Sequence, residues 1–215
     1  MAKRKALVLD VDDTMFDTHR AMRDILAAHG HTLSPSEGYI STHNCPKDLL
    51  DKVLSEARFM VEGKPLHGLE SFLNEVADDV DLYLCTHRGY NPLGAEYTDQ
   101  QLTSYGIAEF FPEERRLFVD PDSYKNKLDF LDAYFSDHPY LLVDDRPVFS
   151  KPDETGCLSG KHRDSIVVFS RLWNIGHYST SPHMYSWTEC SVIYNALLKI
   201  DRKSTRLNSS HSRAS

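Results

Sequence analysis

The chain has 215 residues, of which 40% are hydrophobic and 26% are charged, and its formal net charge at pH 7 is −8. These proportions indicate a soluble globular chain of one ordinary domain and argue against disorder. No apolar run approaches the roughly 18 residues of a membrane span, so none is predicted. The acidic balance also argues against a long nucleic-acid groove, which needs lysine and arginine along its path.

The N-terminus and the cysteines bear on the cellular compartment. Residues 1–5 are basic, but only the apolar run Ala6–Leu9 follows before Asp10. A secretory signal needs an apolar segment of about 7–15 residues, so none is predicted. The four cysteines are scattered and form no Cys-x-x-Cys pair, which does not suggest a disulfide framework. We therefore expect a cytoplasmic protein with reduced thiols.

Predicted strands and helices alternate along the chain. Short apolar runs predict strands at Lys5–Val11, Val80–Cys85, Arg116–Val119, Tyr140–Val143 and Ser165–Phe169. Apolar residues at helical spacing predict helices over Thr18–His29, from about Leu49 to about Phe59, and over Leu69–Val76, Gly94–Tyr105, Leu128–Phe135 and about Thr188–Ile200. The alternation predicts an α/β fold with a Rossmann-like parallel sheet covered by helices on both faces.

Polar side chains follow three of these strands at the point where each strand ends. Asp10 and Asp12 follow the first strand, Thr86 the second, and Asp144 and Asp145 the fourth. Ligands bind at the carboxyl edge of parallel sheets, so these side chains are expected on one rim. An Asp-x-Asp pair alone also fits a loop of solvated acids. Carboxylates gathered on one rim, however, repel each other unless a cation or a proton lies between them, and their hard oxygens favour Mg²⁺.

Four segments resemble, in order, the motifs of the haloacid dehalogenase-like hydrolase superfamily. They are Leu7-Val-Leu-Asp10-Val-Asp12-Asp-Thr14, Leu82-Tyr-Leu-Cys-Thr86, a lysine at Lys127 or Lys125, and Leu141-Leu-Val-Asp144-Asp145. The resemblance covers about residues 5 to 170. It implies a magnesium-dependent phosphatase that acts on a small phosphorylated substrate.

The resemblance also implies a role for each motif residue. Asp10 would be the nucleophile that takes the phosphoryl group. Asp12 would protonate the leaving oxygen and then activate water, which requires a raised pKa that neighbouring carboxylates could supply. Thr86 and the lysine would neutralise the phosphoryl oxygens. Lys127 is the first choice because it opens a predicted helix, and Lys125 is the alternative.

The implied metal ligands lie on the same rim. Mg²⁺ would be held by Asp10, the backbone carbonyl of Asp12, and Asp145, with Asp144 in support. Arg88 follows Thr86 closely and would contact the phosphate, with a salt bridge to Asp144 or Asp145 as the equal alternative.

The domain organisation follows from the same resemblance. Residues 1–16 and 66–200 are expected to form the catalytic core, and residues 17–65 a small helical cap inserted after the first strand. Residues 201–215 show no apolar periodicity and resemble the translation of a sequencing-adapter oligonucleotide. We expect this last stretch to be a non-native tail.

A finer resemblance favours nucleotides as the substrate. Several pieces are similar to 5′(3′)-deoxyribonucleotidases and phage-type 5′-nucleotidases: residues 59–68, Leu142–Pro147, Val167–Phe169 with Trp173-Asn174, and Tyr185–Trp187. Phe16 and Met22 would then offer an apolar wall to the base, with a core position as the alternative for Phe16. The two tryptophans are expected to be packing residues.

Two other functions are compatible with the sequence. The same scaffold could serve as a polynucleotide-end or small-metabolite phosphatase, although the acidic balance disfavours the polynucleotide version. A different class is a non-catalytic binding module that keeps the fold as a scaffold. Loss of Asp10 or Asp12 would have indicated such a module, and both residues are present.

Overall fold

The computed structural model describes residues 4–211 except 121, 125, 137, 148–161, 163, 176–177 and 179, with side chains described as far as residue 200. Lys125, the alternative phosphate-site lysine, therefore lies outside the described residues. In the described part of the chain no helix is long and apolar enough to cross a membrane.

Six parallel strands form one sheet at the centre of the molecule. The sequence predicts the parallel sheet and five of these strands. The strands are β1 (Lys5–Leu9), β2 (Val80–Thr86), β3 (Arg116–Phe118), β4 (Tyr140–Asp144), β5 (Ile166–Phe169) and β6 (His183–Met184). Their order across the sheet is β3-β2-β1-β4-β5-β6, and every neighbouring pair is parallel. The two-residue β6 was not predicted, because a run this short has no periodicity to detect.

The position of β1 in the sheet decides where the site lies. Leu7 pairs with Leu82 of β2 on one side and with Leu141 of β4 on the other. The strand order reverses here, because β2 and β3 lie on one side of β1 and β4 to β6 on the other. In open α/β sheets, ligands bind outside the carboxyl ends of the strands at such a reversal. Asp10 follows β1 directly and therefore lies between the ends of β2 and β4.

Seven α-helices are described. They are α1 (Thr18–Ala28), α2 (Lys47–Glu56), α3 (Phe59–Glu62), α4 (Leu69–Val76), α5 (Gly94–Ser104), α6 (Lys127–Phe135) and α7 (Cys190–His211). The predicted helix that reached about Phe59 is interrupted instead, because Ala57 has a left-handed backbone conformation with φ of 52°. The last helix runs beyond the predicted end at Ile200, so the backbone of residues 201–211 is helical.

Two apolar clusters cover the two faces of the sheet. Leu7 and Leu9 of β1 face the cluster that includes α4 and α7, while Ala6 and Val8 face the cluster that includes α6. Side chains alternate between the faces of a strand, and here both sets are fully buried. The strands are therefore held rigidly, and the loops at their ends start from fixed positions.

A third apolar cluster lies in the segment predicted as the cap. It joins α1, α2 and α3 through buried side chains such as Leu26, Val53 and Met60, with Tyr97 of α5 packed against it. The segment thus has a small core of its own, which suits a separately packed helical insert. It lies beside the carboxyl edge of the sheet, since α3 contacts α5 and the loop after β1 leads directly into α1.

Candidate active site

The loop after β1 presents its polar side chains in a tight turn. The backbone N–H of Asp10 donates to the Val143 carbonyl at 2.9 Å, which extends the sheet by one residue. Asp13 then adopts a left-handed conformation with φ of 61°, which aspartate tolerates better than most residues. The chain turns back so that Met15 and Phe16 both donate to the Val11 carbonyl. The loop therefore directs Asp10 and Asp12 to the rim rather than into solvent.

A buried ion-pair network joins the ends of β1 and β4 to the start of α6. Lys127 opens α6 and is 3% exposed, and the side chain of Asn126 caps this helix by accepting from the Leu128 N–H at 2.8 Å. The Lys127 ammonium lies 2.5 Å from Asp10 Oδ1 and 2.8 Å from Asp144 Oδ2. The preferred lysine of the sequence analysis is thus in contact with the predicted nucleophile.

Burial changes the pKa of Asp10. Removal from water raises the pKa of Asp10 to about 8, although the Lys127 ammonium lowers it. Burial lowers the pKa of Lys127 by itself, but Asp10 and Asp144 outweigh it and leave the pKa above its usual value. Lys127 therefore stays charged. A divalent cation beside Asp10 would favour the ionised carboxylate, which is the form able to act as a nucleophile.

Three carboxylates could hold such a cation. Oxygens of Asp10, Asp144 and Asp145 lie within 4.8 Å of one another, and all three residues are buried. Magnesium holds oxygens at about 2.1 Å, so ligands on opposite sides of one ion lie about 4 Å apart, close to the limit of 4.8 Å found here. Thr14 connects the ligands, because its hydroxyl donates to Asp10 Oδ2 at 3.3 Å and accepts from the Asp145 N–H at 3.0 Å. The Asp12 side chain, by contrast, forms an ion pair outside this group of carboxylates.

Asp12 is bound by Arg88. The Arg88 guanidinium is 1% exposed and donates to both carboxylate oxygens of Asp12, at 2.7 to 3.2 Å. Its other end donates to the Thr98 hydroxyl at 3.0 Å, and Thr18 donates to Asp12 at 2.8 Å. Arg88 was expected to contact phosphate or to pair with Asp144 or Asp145. The second expectation is wrong, because the carboxylate it pairs with is that of Asp12.

This pairing also reverses the expected pKa shift of Asp12. The neighbouring carboxylates were expected to raise the pKa of Asp12, and burial acts in the same direction. The charge and hydrogen bonds of Arg88 outweigh the effect of burial. The pKa of Asp12 lies below its usual value, so the carboxylate is ionised at neutral pH. The sequence could not show this contact, since 76 residues separate the two partners.

The pair predicts a pH-dependent contribution to stability. A carboxyl group with a lowered pKa stabilises the folded protein at pH values above the ordinary aspartate pKa of about 3.9. This stabilisation is lost as the pH falls through the lower pKa that the group has in the folded protein. Arg88→Met is expected to lower the free energy of unfolding by roughly 2–3 kcal/mol at pH 7. This is the low end of the range for buried pairs, because the Asp12 side chain is 30% exposed. Urea unfolding of the metal-free protein at pH 7 and below pH 4 measures the difference, which should shrink at the lower pH.

The control for this prediction is an exposed ion pair. Arg58 pairs with Glu62 one turn along the chain, and its side chain is 64% exposed. Arg58→Met should therefore cost under about 1 kcal/mol at either pH. An Arg88→Met cost that stays equal at both pH values would show that packing, and not the charge of Asp12, accounts for the loss.

Thr86 ends β2 beside Asp10 and is fully buried. Its hydroxyl accepts from the Arg88 N–H at 3.3 Å, which begins the turn that carries Arg88. This turn packs closely on its surroundings, because a Cβ at Gly94 would overlap the Arg88 carbonyl. Thr86 lines the same cavity as the carboxylates.

A cavity of about 490 Å³ opens over the rim, within the usual range for small-molecule sites. At one end lie Asp10, Asp12, Thr86, Lys127, Asp144 and Asp145. The opposite wall comes from the α1–α3 segment and is largely apolar, with Met22, Ile40, Leu50, Leu54, Phe59 and Met60. Two tyrosines, Tyr39 and Tyr90, also line it, and Arg146 lies over the Tyr39 ring at 4.5 Å. The cavity therefore joins a charged end to an apolar and aromatic one.

Phe16 does not serve as the expected substrate wall. Its side chain is fully buried in the core beneath the cavity, near Tyr105. The backbone around it is paired with Asp12 and Pro65, which fixes the ring inward. Met22, the other candidate, does line the cavity. Of the two positions weighed for Phe16, the core position is the one observed.

The tryptophans were expected to be packing residues, and both also donate a hydrogen bond. Trp187 is buried between Phe72 and Phe169 and donates to the Thr14 carbonyl at 2.9 Å. Trp173 stacks on His19 and donates its indole N–H to Asp145 Oδ2 at 2.8 Å. Sequence reasoning missed this hydrogen bond, because it connects two loops whose packing no local pattern reveals.

Comparison with solved structures identifies the fold. No protein-family model matches the chain, and no curated protein matches it. Among solved structures, a conserved haloacid dehalogenase-like protein of unknown function from Agrobacterium tumefaciens is 16% identical, with a TM-score of 0.59 over 91% of this chain and 99% of that one. A haloacid dehalogenase-like family hydrolase from Xanthomonas campestris is 13% identical, with a TM-score of 0.55 over 95% and 99%.

A third structure was solved with a metal. It is a HAD-hydrolase from Bacillus subtilis bound to magnesium, 17% identical, with a TM-score of 0.53 over 90% of this chain and 99% of that one. Sequence identities this low show that the fold is shared but do not show that the activity is shared. The six-stranded parallel sheet and its helices agree with these neighbours over nearly their whole length. The chain therefore has the fold of the haloacid dehalogenase-like hydrolases.

Proposed function

We propose that the protein hydrolyses phosphomonoesters through an aspartyl-phosphate on Asp10. The observation that carries this proposal is the contact of Asp10 with a buried, charged Lys127 at the end of a cavity, beside two further carboxylates. A nucleophile, a fixed cation and a metal-ligand set thus meet where an ester phosphate would enter. Monoester hydrolysis needs such help, because enzymes accelerate it by up to about 10²¹-fold.

The chain's own residues account for both steps. An oxygen of Asp10 attacks phosphorus, the P–O bond to the alcohol breaks, and Lys127 and Thr86 stabilise the charge on the phosphoryl oxygens. A water then attacks the aspartyl-phosphate, which releases inorganic phosphate and regenerates Asp10. Mg²⁺ held by Asp10, Asp144 and Asp145 would neutralise part of the charge on the phosphoryl group.

Asp12 is the proposed residue for the proton transfers, and its pairing with Arg88 favours one transfer over the other. In its ionised form Asp12 can take a proton from the attacking water. Donation of a proton to the leaving alcohol requires the protonated form, which Arg88 disfavours. The proposal therefore requires the contact between Arg88 and Asp12 to weaken when a phosphoryl group binds beside them.

The test of this activity is hydrolysis of a generic aryl phosphate by the full chain. We expect turnover with Mg²⁺ and its loss when the metal is chelated, with recovery on adding Mg²⁺ back. The same assay separates the two classes of function. Absence of turnover in a folded protein that still binds phosphate would favour the non-catalytic binding module.

Nucleoside monophosphates are the proposed substrate class, and residues 17–65 are the proposed cap. Support comes from the nucleotidase-like sequence pieces and from the cavity wall, which offers Tyr39 and Tyr90 beside an apolar surface. These tyrosines are 40% and 43% exposed. Arg146 and His19 already contact the Tyr39 ring, so Tyr90 is the better candidate to stack on a base. The two tyrosines take the place that the sequence analysis gave to Phe16.

This substrate class predicts a ranking. Stacking of a base on an aromatic side chain is worth about 1–3 kcal/mol, roughly 5- to 150-fold in kcat/KM when it persists in the transition state. We expect kcat/KM for nucleoside monophosphates to exceed that for small sugar phosphates by this factor, and Tyr90→Leu to reduce the difference. Tyr185→Leu is the control, since Tyr185 is 67% exposed and lies outside the cavity lining. Equal values across the panel would favour a general small-metabolite phosphatase.

A further inference from the structure

The turn after β5 is attached to the loop that carries Asp145. The side chain of Asn174 closes this turn by accepting from the Arg171 N–H at 2.8 Å. Its amide group then donates to the carbonyls of Phe169 and Asp145, both at 2.8 Å. The ends of β4 and β5 are thus held together by one side chain, which is 4% exposed.

Trp173, in the same turn, reaches the carboxylate of Asp145. Its indole N–H donates to Asp145 Oδ2 at 2.8 Å. The ring lies on His19 with 4.2 Å between centroids and 28° between planes, and the Arg171 guanidinium lies 5.3 Å from its centroid. A hydrogen bond to one carboxylate oxygen limits rotation of that carboxylate, and a stacked ring limits motion of the donor.

His19 is itself fixed in place at the start of α1. It is 4% exposed, and the backbone N–H of Ile40 donates to its Nε2 at 3.3 Å. An accepting Nε2 carries no proton, so Nδ1 is the protonated nitrogen, and it donates to Asp13 Oδ2. The supporting ring is therefore held on both edges, by a residue of the cavity wall and by the loop after β1.

We propose that Trp173 is a positioning residue for the metal ligand Asp145, and that His19 holds its ring in the orientation this requires. The inference rests on the proposed magnesium site of Asp10, Asp144 and Asp145. Hydrogen-bond partners of metal ligands fix the orientation of those ligands, and their loss costs about 10- to 100-fold in metal affinity or activity. The tryptophan therefore contributes to the metal site without touching the metal.

The test measures metal binding directly in the full chain. Mn²⁺ is the probe, because its free concentration can be read from its electron paramagnetic resonance signal. Trp173→Phe keeps an aromatic ring on His19 and removes the N–H. We expect it to bind Mn²⁺ about 10- to 100-fold more weakly than the unchanged protein. In turnover, the Mg²⁺ concentration for half-activation should rise by a similar factor, and excess Mg²⁺ should restore most of kcat.

Two further variants make the result specific. Leu172→Ala changes the neighbouring residue of the same turn, which is 63% exposed, and should leave Mn²⁺ binding unchanged. His19→Leu removes the stacked imidazole but keeps the indole N–H, so a smaller weakening is expected. Circular dichroism at the assay temperature establishes that each variant is folded, and His19→Leu carries the test should Trp173→Phe not fold.

The outcomes separate this inference from the proposed function. Folded Trp173→Phe that binds Mn²⁺ as tightly as the unchanged protein would overturn the positioning role. An equal loss in Leu172→Ala would also overturn it, because the turn as a whole would then be responsible. Failure of the unchanged protein to bind Mn²⁺ would instead reject the metal site on which the inference rests.

Discussion

Replacement of Asp10 by asparagine is expected to lower kcat for a phosphomonoester by roughly 10⁴- to 10⁶-fold, the range seen when a nucleophile or its partner is removed. The amide has nearly the shape of the carboxylate but cannot attack phosphorus. The fold should persist, because Asp10 is held by the backbone hydrogen bond to Val143 and by its place in the sheet. The measurement is the steady-state rate of purified variant, with thermal unfolding as the check on folding.

The matched control is Asp51→Asn. Asp51 is 54% exposed on α2, pairs with Lys47 and is not among the residues that line the cavity. Its replacement should leave kcat unchanged. A rate near that of the unchanged protein in folded Asp10→Asn would remove Asp10 from the mechanism and leave Asp144 or Asp145 as the next carboxylates to examine.

Replacement of Lys127 by methionine is expected to damage both stability and catalysis. It leaves the buried carboxylates of Asp10 and Asp144 without their cation, and breaking a buried pair in this way costs about 3–5 kcal/mol. The loss of one fixed charge at the phosphoryl group should lower kcat by about 10²- to 10³-fold. Urea unfolding and steady-state kinetics measure the two effects separately.

Magnesium gives this prediction a second readout. A divalent cation between the same carboxylates would replace part of the missing charge, so Mg²⁺ should raise the Tm of Lys127→Met by more than that of the unchanged protein. Lys47→Met is the control: its side chain is 71% exposed, and exposed pairs are worth about 0–1 kcal/mol. Unaltered stability of Lys127→Met would contradict the prediction, because it would mean that the Lys127 ammonium does not stabilise the buried side chains of Asp10 and Asp144.

The rim of the sheet could be predicted because its determinants are local. Asp10, Thr86 and Asp144 each follow or end an apolar run, and parallel strands bring such ends together. Lys127 could be placed because it opens a predicted amphipathic helix, and the structure shows that Asn126 caps this helix. The five longer strands and most helix bounds follow from periodicity in the same way.

The contacts that modify the site could not be predicted because they join distant loops. Arg88 and Asp12 meet only through the packing of the turn after β2 on the loop after β1. Trp173 meets Asp145 only because β4 and β5 are neighbours and Asn174 fastens their ends together. The direction of Phe16 was equally open, since an aromatic residue at a loop edge suits a core and a cavity wall alike.

The central claim is that Asp10 carries the phosphoryl group during turnover, and acid-quenched mass spectrometry tests it most directly. Protein quenched during steady-state hydrolysis of a nucleoside monophosphate is digested, and its peptides are searched for phosphorylated aspartate. The account predicts a phosphoryl group on the peptide that contains Asp10, and none on the same peptide from Asp10→Asn. Sustained turnover with the phosphoryl group on another residue, or undiminished turnover by folded Asp10→Asn, would contradict it.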